Sequence, residues 1–318
     1  AVVFGGPSRE HEVSRWSGEQ VLRHLDRDRY RALAVLIERD RSWIVEGERM
    51  GGPIEGALAL RRAGCDVAFL ATHGPFGEDG TLQGFLETVG LPFTGSGVAG
   101  SALARNKIHA KRLVAAAGIG VAPDLTLPPA DAREVSRRLG FPVVVKNPHE
   151  GSTLGLCFAA DEAGLLAAIE QLGGTCPALL VERREQGREL TAGVLEDASG
   201  VVETLPLVEI RTRGEFDFRA KYTPGGAEEI CPAPLDEGVA ASIRATAADV
   251  HRLLGLRGMS RSDFILRPDG GFVYLETNTI PGLTGTSLLP AAAAAAGVPF
   301  RELLTRLVEG ALRPRNGR

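Results

Sequence analysis

The chain has 318 residues, a length for which about two domains are expected. Hydrophobic residues (44%) and charged residues (24%) suffice for a buried core, and the net charge of −4 argues against a nucleic-acid coat or membrane-surface protein. No apolar run approaches the ~20 residues of a membrane-spanning helix, and the four cysteines lack the spacing of a zinc site or disulfide framework. Forty glycines predict many sharp loops.

Strand-like and helix-like patterns alternate through the first hundred residues. This alternation predicts a mostly parallel sheet with helices on both faces, and therefore an α/β unit. The predicted strands are 1–4, 32–37, 66–71 and 92–93, and the predicted helices begin near Val13 and cover 80–89.

The rest of the chain reads as a helix followed by two mixed α+β regions. A helix over 103–117 precedes a compact α+β unit at 124–195, in which a Gly-rich polar tip over 147–155 joins two strands. A long polar loop at 211–228 is either functional or disordered, as loops of this length usually are. Elements predicted elsewhere are helices at 131–139, 161–172 and 238–254, strands at 142–146, 156–159, 178–183, 189–195, 202–210, 260–266 and 272–278, and helices starting near 287 and 299.

A glycine pattern at 95–100 matches the G-x-G-x-x-G fingerprint of dinucleotide-binding folds. That fingerprint also requires an acidic residue about 20 positions later, where it binds a ribose. No Asp or Glu occurs before Asp124, so we favour an interdomain turn and keep a nucleotide-dependent oxidoreductase as the alternative class. A P-loop motif is absent from the sequence.

Charged residues with a spacing of two mark the predicted strands 260–266 and 272–278. Residues i and i+2 share a strand face, so Arg261 projects with Asp263 and Glu276 projects with Asn278. If the strands pair, two carboxylates and an amide oxygen converge beside a guanidinium, a donor set that suits Mg²⁺ bound to phosphate. The alternative is a solvated hairpin with cross-strand ion pairs.

A Pro-Gly turn and Thr286-Ser287 follow immediately and lead into an apolar helical run. The backbone N–H groups at a helix start bind carboxylates, although the same residues could serve only as a helix cap. Because a cap does not require the adjacent cluster of charged residues, their adjacency favours a functional site.

Four sequence blocks together resemble the D-alanine–D-alanine ligases, a family of the ATP-grasp superfamily. The block Glu276–Leu288 resembles the E-x-N-x-x-P-G-[MFL]-T-x-x-S-[LM] signature. Residues 73–80 resemble the H-G-x-x-G-E-D-G block, 5–14 the N-terminal block, and 92–97 the domain-junction block, which accounts for the glycine pattern above. The resemblance implies a three-domain ATP-grasp architecture with an N-terminal parallel-sheet domain (1–100), a central α+β subdomain (101–187), and a C-terminal domain (188–318) with a mobile loop at 211–228.

The resemblance implies a cytoplasmic, homodimeric bacterial enzyme that joins two D-alanines for peptidoglycan synthesis. It would consume ATP through an acyl-phosphate intermediate and release ADP and phosphate. The implied cofactor is Mg²⁺, as two ions, with Mn²⁺ as a substitute and a monovalent cation as a further candidate. Another ATP-grasp carboxylate–amine ligase, such as a D-lactate or D-serine ligase, is the near alternative, and a non-catalytic nucleotide-binding module is the alternative from another class.

The resemblance also assigns the amino-acid and metal sites. Glu12 would hold the first substrate's ammonium with His73 nearby, Arg261 and the Gly282 backbone would stabilise the oxyanion, and Ser287 and Leu288 would bind the second substrate's carboxylate. The implied metal ligands are Asp263, Glu276 and Asn278.

The ATP site follows by the same matching. Lys107 and Lys146 would be directed to phosphate, Glu182 and Glu189 to adenine and ribose, and Ser152 to the phosphate lid. Lys221, in the active-site loop, would also bind ATP. Glu12, Ser152 and Tyr222 would form a hydrogen-bonded set, and the Lys221-Tyr222 pair favours the dipeptide product. From the residues alone, Lys107 reads as a solvated charge, whereas Lys146 ends an apolar strand and requires a partner. Asn147, Thr153 and Phe76 depart from the family pattern.

Overall fold

A computed structural model describes residues 1–128, 131–151, 155–212 and 227–313. Its first sheet has the strand order β4-β3-β2-β1-β5. Strand β1 is parallel to its neighbours β2 and β5, as predicted, whereas β3 and β4 form an antiparallel hairpin that was not predicted. Its turn contains Glu46 and Gly47, both at positive φ, as a tight hairpin turn requires. The strands are β1 (Val2–Gly5), β2 (Ala34–Ile37), β3 (Trp43–Val45), β4 (Glu48–Gly51) and β5 (Phe69–Leu70).

Five helices accompany this sheet or follow it: α1 (His11–His24), α2 (Pro53–Arg62), α3 (Thr81–Thr88), α4 (Val98–Arg105) and α5 (Lys107–Ala116). The single helix predicted over 103–117 is wrong, because Asn106 separates α4 from α5. The Asn106 side chain accepts hydrogen bonds from the N–H groups of Ile108 (3.1 Å) and His109 (3.2 Å) and so caps α5. This cap places Lys107 at the first position of α5.

The second sheet is antiparallel throughout, with the order β6-β9-β7-β8. A compact α+β unit is present, as predicted, but it ends with β9 and not at 195, because the strand that begins at Arg188 pairs within the third sheet. Its strands are β6 (Asp124–Leu127), β7 (Val143–Lys146), β8 (Leu156–Ala159) and β9 (Leu179–Arg183), with helices α6 (Ala132–Arg138) and α7 (Glu162–Leu172). Asp131 and Asp161 cap these helices through their carboxylates. The Gly-rich tip joins β7 to β8.

The third sheet, also antiparallel, has the order β13-β12-β10-β14-β15, and β11 pairs with β10. The one strand predicted over 202–210 is two strands, because the segment around Pro206, which has no N–H to donate, interrupts the ladder. The strands are β10 (Arg188–Glu196), β11 (Val202–Thr204), β12 (Val208–Thr212), β13 (Ala227–Ile230), β14 (Met259–Leu266) and β15 (Phe272–Asn278), with helix α8 (Glu237–Leu253).

The last two helices are α9 (Leu288–Ala295) and α10 (Phe300–Ala311). Their apolar side chains pack in a core that also contains residues of the first and third sheets. One hydrophobic core contains Val3 and Leu70 of the first sheet together with Leu289 of α9, Leu304 of α10 and Met259 of β14. This core contains residues from both the N-terminal and the C-terminal parts of the chain. The predicted domain boundaries remain a prediction. None of the helices within the described residues has the length and apolar character needed to cross a bilayer.

Candidate active site

Strands β14 and β15 bring the predicted charged residues together. In their antiparallel register, Arg261 lies opposite Asn278 and Asp263 lies opposite Glu276. The guanidinium of Arg261 donates two hydrogen bonds to Asp263, each 3.0 Å long. All four side chains line one cleft, so the predicted convergence of these side chains is present in the fold.

Lys107 reaches this cluster from the other side. Its Nζ lies 2.8 Å from Oε2 of Glu276 and donates a 2.6 Å hydrogen bond to the carbonyl of Glu150, in the Gly-rich tip. Its side chain is only 11% exposed, so the interpretation of Lys107 as a solvated charge is wrong. Position 1 of α5 aims the ammonium at the end of β15.

A buried ionic cluster lies next to Lys107. Glu182 on β9 forms ion pairs with Lys146 on β7 and with Lys111 on α5, and Lys111 also lies 3.2 Å from Asp124. Burial by itself would raise the pKa of Glu182, but the two ammonium groups outweigh burial and hold that pKa below its usual value. Burial opposes the charge of Lys146, yet Glu182 raises its pKa overall.

This cluster changes how two predicted residues are understood. Lys146 has the partner that its buried position requires, and the partner is Glu182, which the resemblance assigned to adenine or ribose. Lys111 was missed, although it lies one helical turn after Lys107 and therefore on the same face of α5. Glu189, the other residue assigned to the nucleoside, lines the cleft with Arg261.

The segment after β15 forms another wall of the cleft. Ser287 precedes α9, and its Oγ accepts a 3.0 Å hydrogen bond from the Thr284 N–H. A Cβ on Gly282 would lie 2.7 Å from that Oγ, so a side chain at position 282 would displace the Ser287 hydroxyl. The structure therefore places Gly282, Ser287 and Leu288 in the cleft, beside the N-terminus of α9.

The first-substrate side contains a buried ionic cluster that the sequence analysis did not find. Arg105, at the end of α4, lies 3.8 Å from Glu10 and 3.5 Å from Glu78. Glu78 accepts hydrogen bonds from the N–H groups of Gly74 (2.7 Å) and Ile280 (3.4 Å). Burial raises the pKa of Glu78 to about 7, with Arg105 opposing the rise and Glu10 adding to it.

The structure does not bring Glu12 into the cleft. Its side chain is 53% exposed and lies 3.7 Å from Arg15 and 3.8 Å from Arg39. Glu10, only 8% exposed, lines the cleft instead. The placement of Glu12 at the substrate is therefore corrected: Glu12 lies within the first turn of α1, whereas Glu10 immediately precedes the helix and faces the cleft.

His73 is where the resemblance predicts it, in the cleft wall. Its Nε2 lies 2.9 Å from the hydroxyl of Ser17, a residue of α1 that the sequence analysis did not single out. Burial lowers the pKa of His73, which favours a neutral ring.

Three predicted site residues, Ser152, Lys221 and Tyr222, lie outside the described residues. Thr153, one of the three departures from the family pattern, also lies outside them. The other two departures from the family pattern have local roles. Asn147 donates a 3.0 Å hydrogen bond to Thr175 and accepts one from the N–H of His149. Phe76 takes a positive φ of 76° and packs against the first core.

The predicted metal ligands fit a hard divalent cation. Asp263 and Glu276 are each neutralised by a cationic side chain, Arg261 and Lys107, and the buried Nδ2 of Asn278 has no hydrogen-bond partner within the described ranges. Two carboxylates and one amide oxygen are donors that Mg²⁺ accepts together with phosphate oxygens. In the part of the chain that the structure describes, no group of three or more His, Cys, Asp or Glu side chains could hold a metal, so a metal here relies on the amide and on the nucleotide.

Family models match nearly the whole chain. The model described as "D-ala D-ala ligase N-terminus" matches residues 1–57 and 51–96, and "D-ala D-ala ligase C-terminus" matches 113–309. The chain belongs to the D-alanine–D-alanine ligase family. The resemblance of the four sequence blocks is thereby confirmed. The family uses ATP and a divalent metal ion.

Relatives of known name support this membership along the full length. The chain is 45% identical to a D-alanine–D-alanine ligase of Syntrophobacter fumaroxidans (98% of this chain, 97% of the relative) and 41% identical to one of Desulfotalea psychrophila (100% and 96%). Among solved structures, the D-alanine–D-alanine ligase of Coxiella burnetii superposes with a TM-score of 0.84 at 28% identity (98% of this chain, 92% of that one). The VanG D-Ala:D-Ser ligase of Enterococcus faecalis gives 0.83 at 29% identity (98% of each chain). The multi-domain ATP-grasp fold is therefore confirmed.

Proposed function

We propose that this chain uses ATP to join two D-alanines into D-alanyl-D-alanine for peptidoglycan synthesis. The observation that carries the proposal is the register of β14 and β15, which sets Arg261, Asp263, Glu276 and Asn278 in one cleft opposite Lys107. This arrangement suits a reaction in which a carboxylate must approach a polyphosphate, because cationic groups can offset the repulsion between the two anions.

Lysines from two elements would hold the phosphates of ATP. Lys107 and Lys146 approach the cleft from α5 and β7, and Glu182 holds Lys146 and Lys111 in place through ion pairs. We therefore assign Glu182 to positioning these lysines as well as facing the nucleoside, and Glu189 to the ribose. Ser152 and Lys221 remain predicted phosphate ligands.

Asp263, Glu276 and Asn278 would hold the divalent ion, which when bound neutralises charge on the phosphate oxygens. Lys107 pairs with Glu276 and Arg261 pairs with Asp263, so each of these two carboxylates has a cationic partner in the chain. Two ions of Mg²⁺, replacement by Mn²⁺ and a monovalent cation all remain predictions.

The two ends of the cleft, where the two amino-acid substrates would bind, are chemically distinct. Glu10 would bind the first substrate's ammonium, since its buried carboxylate faces the cleft. Ser287, Leu288 and the N–H groups at the start of α9 would bind the second substrate's carboxylate. Arg261 and the Gly282 backbone would face the oxyanion between these two ends.

The proposed reaction has two displacements. A carboxylate oxygen of the first D-alanine attacks the γ-phosphorus and ADP leaves, which gives an acyl phosphate. The neutral amine of the second D-alanine then attacks the acyl carbon, an amide bond forms, and phosphate leaves with loss of a proton. Residues that exclude water protect the acyl phosphate between the steps, and Ser152 and Tyr222 are predicted to belong to that closure.

Phosphate release from ATP tests this function. We expect release that depends on both D-alanine and Mg²⁺, with little release for L-alanine. Absence of D-alanine-dependent release would refute the proposal. Mixtures of D-alanine with D-lactate or D-serine, analysed for product, test the alternative acceptors, of which D-serine is used by the VanG relative as its name states. A homodimer and a cytoplasmic location remain predictions.

A further inference from the structure

Ser17 connects helix α1 to the cleft wall that contains Gly282. Its hydroxyl accepts a 3.3 Å hydrogen bond from the N–H of Leu283 and lies 2.9 Å from Nε2 of His73. Ser17 and Leu283 are fully buried and His73 nearly so, which means that water cannot replace any of these contacts.

The direction of the bond between Ser17 and His73 depends on the tautomer of the His73 ring. A serine hydroxyl has one proton, and here its oxygen already accepts from the Leu283 N–H. The hydroxyl proton is then available to Nε2 of His73, which accepts it when the ring is neutral with its proton on Nδ1. Burial and the lowered pKa of His73 agree with a neutral ring. The same wall is held at a second point by Glu78, which accepts a 3.4 Å hydrogen bond from the Ile280 N–H.

The wall is therefore fixed on both sides of Gly282. On one side, Ser17, which is held by His73, accepts from the Leu283 N–H, and Glu78 accepts from the Ile280 N–H. On the other, Ser287 Oγ accepts from the Thr284 N–H and lies 2.7 Å from where a Cβ on Gly282 would be. A backbone N–H that stabilises an oxyanion must be held in place before the reaction, because its value lies in not having to reorganise.

We propose that Ser17 is a positioning residue that, with His73, fixes the 280–283 backbone so that the Gly282 N–H faces the oxyanion. This role rests on the proposed function and adds to it a residue of α1 that does not line the cleft.

Ser14 provides a matched control. It lies one turn earlier on α1, is as fully buried as Ser17, and its hydroxyl also makes two hydrogen bonds, accepting from the Gly5 N–H (2.7 Å) and donating to the Ala71 carbonyl (2.7 Å). Its partners belong to the first sheet and its surroundings, not to the 280–283 segment. Ser14→Ala therefore removes a buried serine of similar structural importance without touching the cleft wall.

The experiment measures steady-state phosphate release of wild type, Ser17→Ala, Ser14→Ala and Ser17→Thr, with thermal unfolding of each and kcat expressed per folded enzyme. An interaction that acts only in the transition state changes kcat and kcat/KM equally. For Ser17→Ala we expect kcat to fall roughly tenfold to a hundredfold, the scale of a misplaced catalytic group, with half-saturating D-alanine and ATP nearly unchanged. Ser17→Thr, which keeps the hydroxyl, should regain most of the rate, and Ser14→Ala should lose stability while keeping its kcat.

Two results would overturn the inference while wild type remains active: equal losses of kcat in the two alanine variants, or a rise in half-saturating substrate with kcat preserved in Ser17→Ala. If Ser17→Ala is too unstable to assay, failure of Ser17→Thr to match wild-type kcat when folded would overturn it. Wild type without D-alanine-dependent release would instead refute the proposed function itself.

Discussion

Glu10 and Glu12 are two residues apart, yet only the carboxylate of Glu10 faces the cleft. Glu10 is buried beside Arg105 and lines the cleft with Glu78. Glu12 lies instead beside the exposed side chains of Arg15 and Arg39. The difference arises because Glu10 immediately precedes the first turn of α1 and Glu12 lies within it, on another face.

This difference predicts opposite outcomes for two conservative variants. Glu10→Gln should raise half-saturating D-alanine about tenfold to a hundredfold, the value of a hydrogen bond to a charged group, because the first ammonium loses its counter-charge. Glu12→Gln should leave that concentration nearly unchanged. Steady-state phosphate release at saturating ATP measures both, and a larger effect from Glu12→Gln would contradict the assignment of Glu10.

The Asn278 side chain should determine the Mg²⁺ concentration at which activity is half-maximal. Removal of its side chain in Asn278→Ala takes one of three oxygen donors from the set, so half-maximal activity should require about tenfold more Mg²⁺ or higher. Asn278→Asp, which keeps an oxygen at the same position, is the control and should require much less Mg²⁺ than Asn278→Ala. The measurement is phosphate release across a Mg²⁺ titration. Full activity of Asn278→Ala at the wild-type Mg²⁺ requirement would exclude Asn278 as a ligand.

Glu182 should be a major contributor to stability. Glu182→Gln removes the carboxylate that pairs with both buried lysines and leaves Lys111 with Asp124 as its remaining ion-pair partner. The loss of this shared buried charge should lower the free energy of unfolding by about 3–5 kcal/mol. In the matched control Glu134→Gln, which disrupts a solvent-accessible i,i+4 pair with Arg138, the loss should not exceed about 1 kcal/mol. Urea unfolding at neutral pH measures both, and equal losses would show that the buried cluster carries no special weight.

The pH dependence of Glu78 has the opposite sign to that of most carboxylates. Its pKa in the folded protein is about 7 because burial disfavours the charged form, against an ordinary value of 4.5. Between these two values the folded state binds more protons than the unfolded state, so this residue makes stability fall as pH rises. Glu78→Gln should therefore reduce the loss of unfolding free energy between pH 4.5 and 7 relative to wild type. Unfolding curves at several pH values test this prediction. If the free energy of unfolding changes with pH equally steeply in the variant and in wild type, the prediction is contradicted.

The sequence by itself determined the part of the site that lies on neighbouring strands. A strand alternates its side chains with a period of two, so Arg261 with Asp263, and Glu276 with Asn278, had to share faces once the short turn between them closed the hairpin. The linear blocks, read in order, also determined the family, because each combines glycine, charged and hydroxyl residues at fixed spacing. The first strands, the α+β unit and the Gly-rich tip followed from the same local patterns.

Only the tertiary structure decided which residues from distant elements complete the site. Lys107 meets Glu276, Arg105 meets Glu10 and Glu78, and Ser17 meets Leu283 across long stretches of chain. Local periodicity gives the face of an element but not the partner packed against that face. The break at Asn106, which directs Lys107, depends on a single side-chain cap inside an otherwise helical pattern. The choice of Glu10 over Glu12 depends on where the first turn of α1 begins, and that is fixed by packing against the sheet.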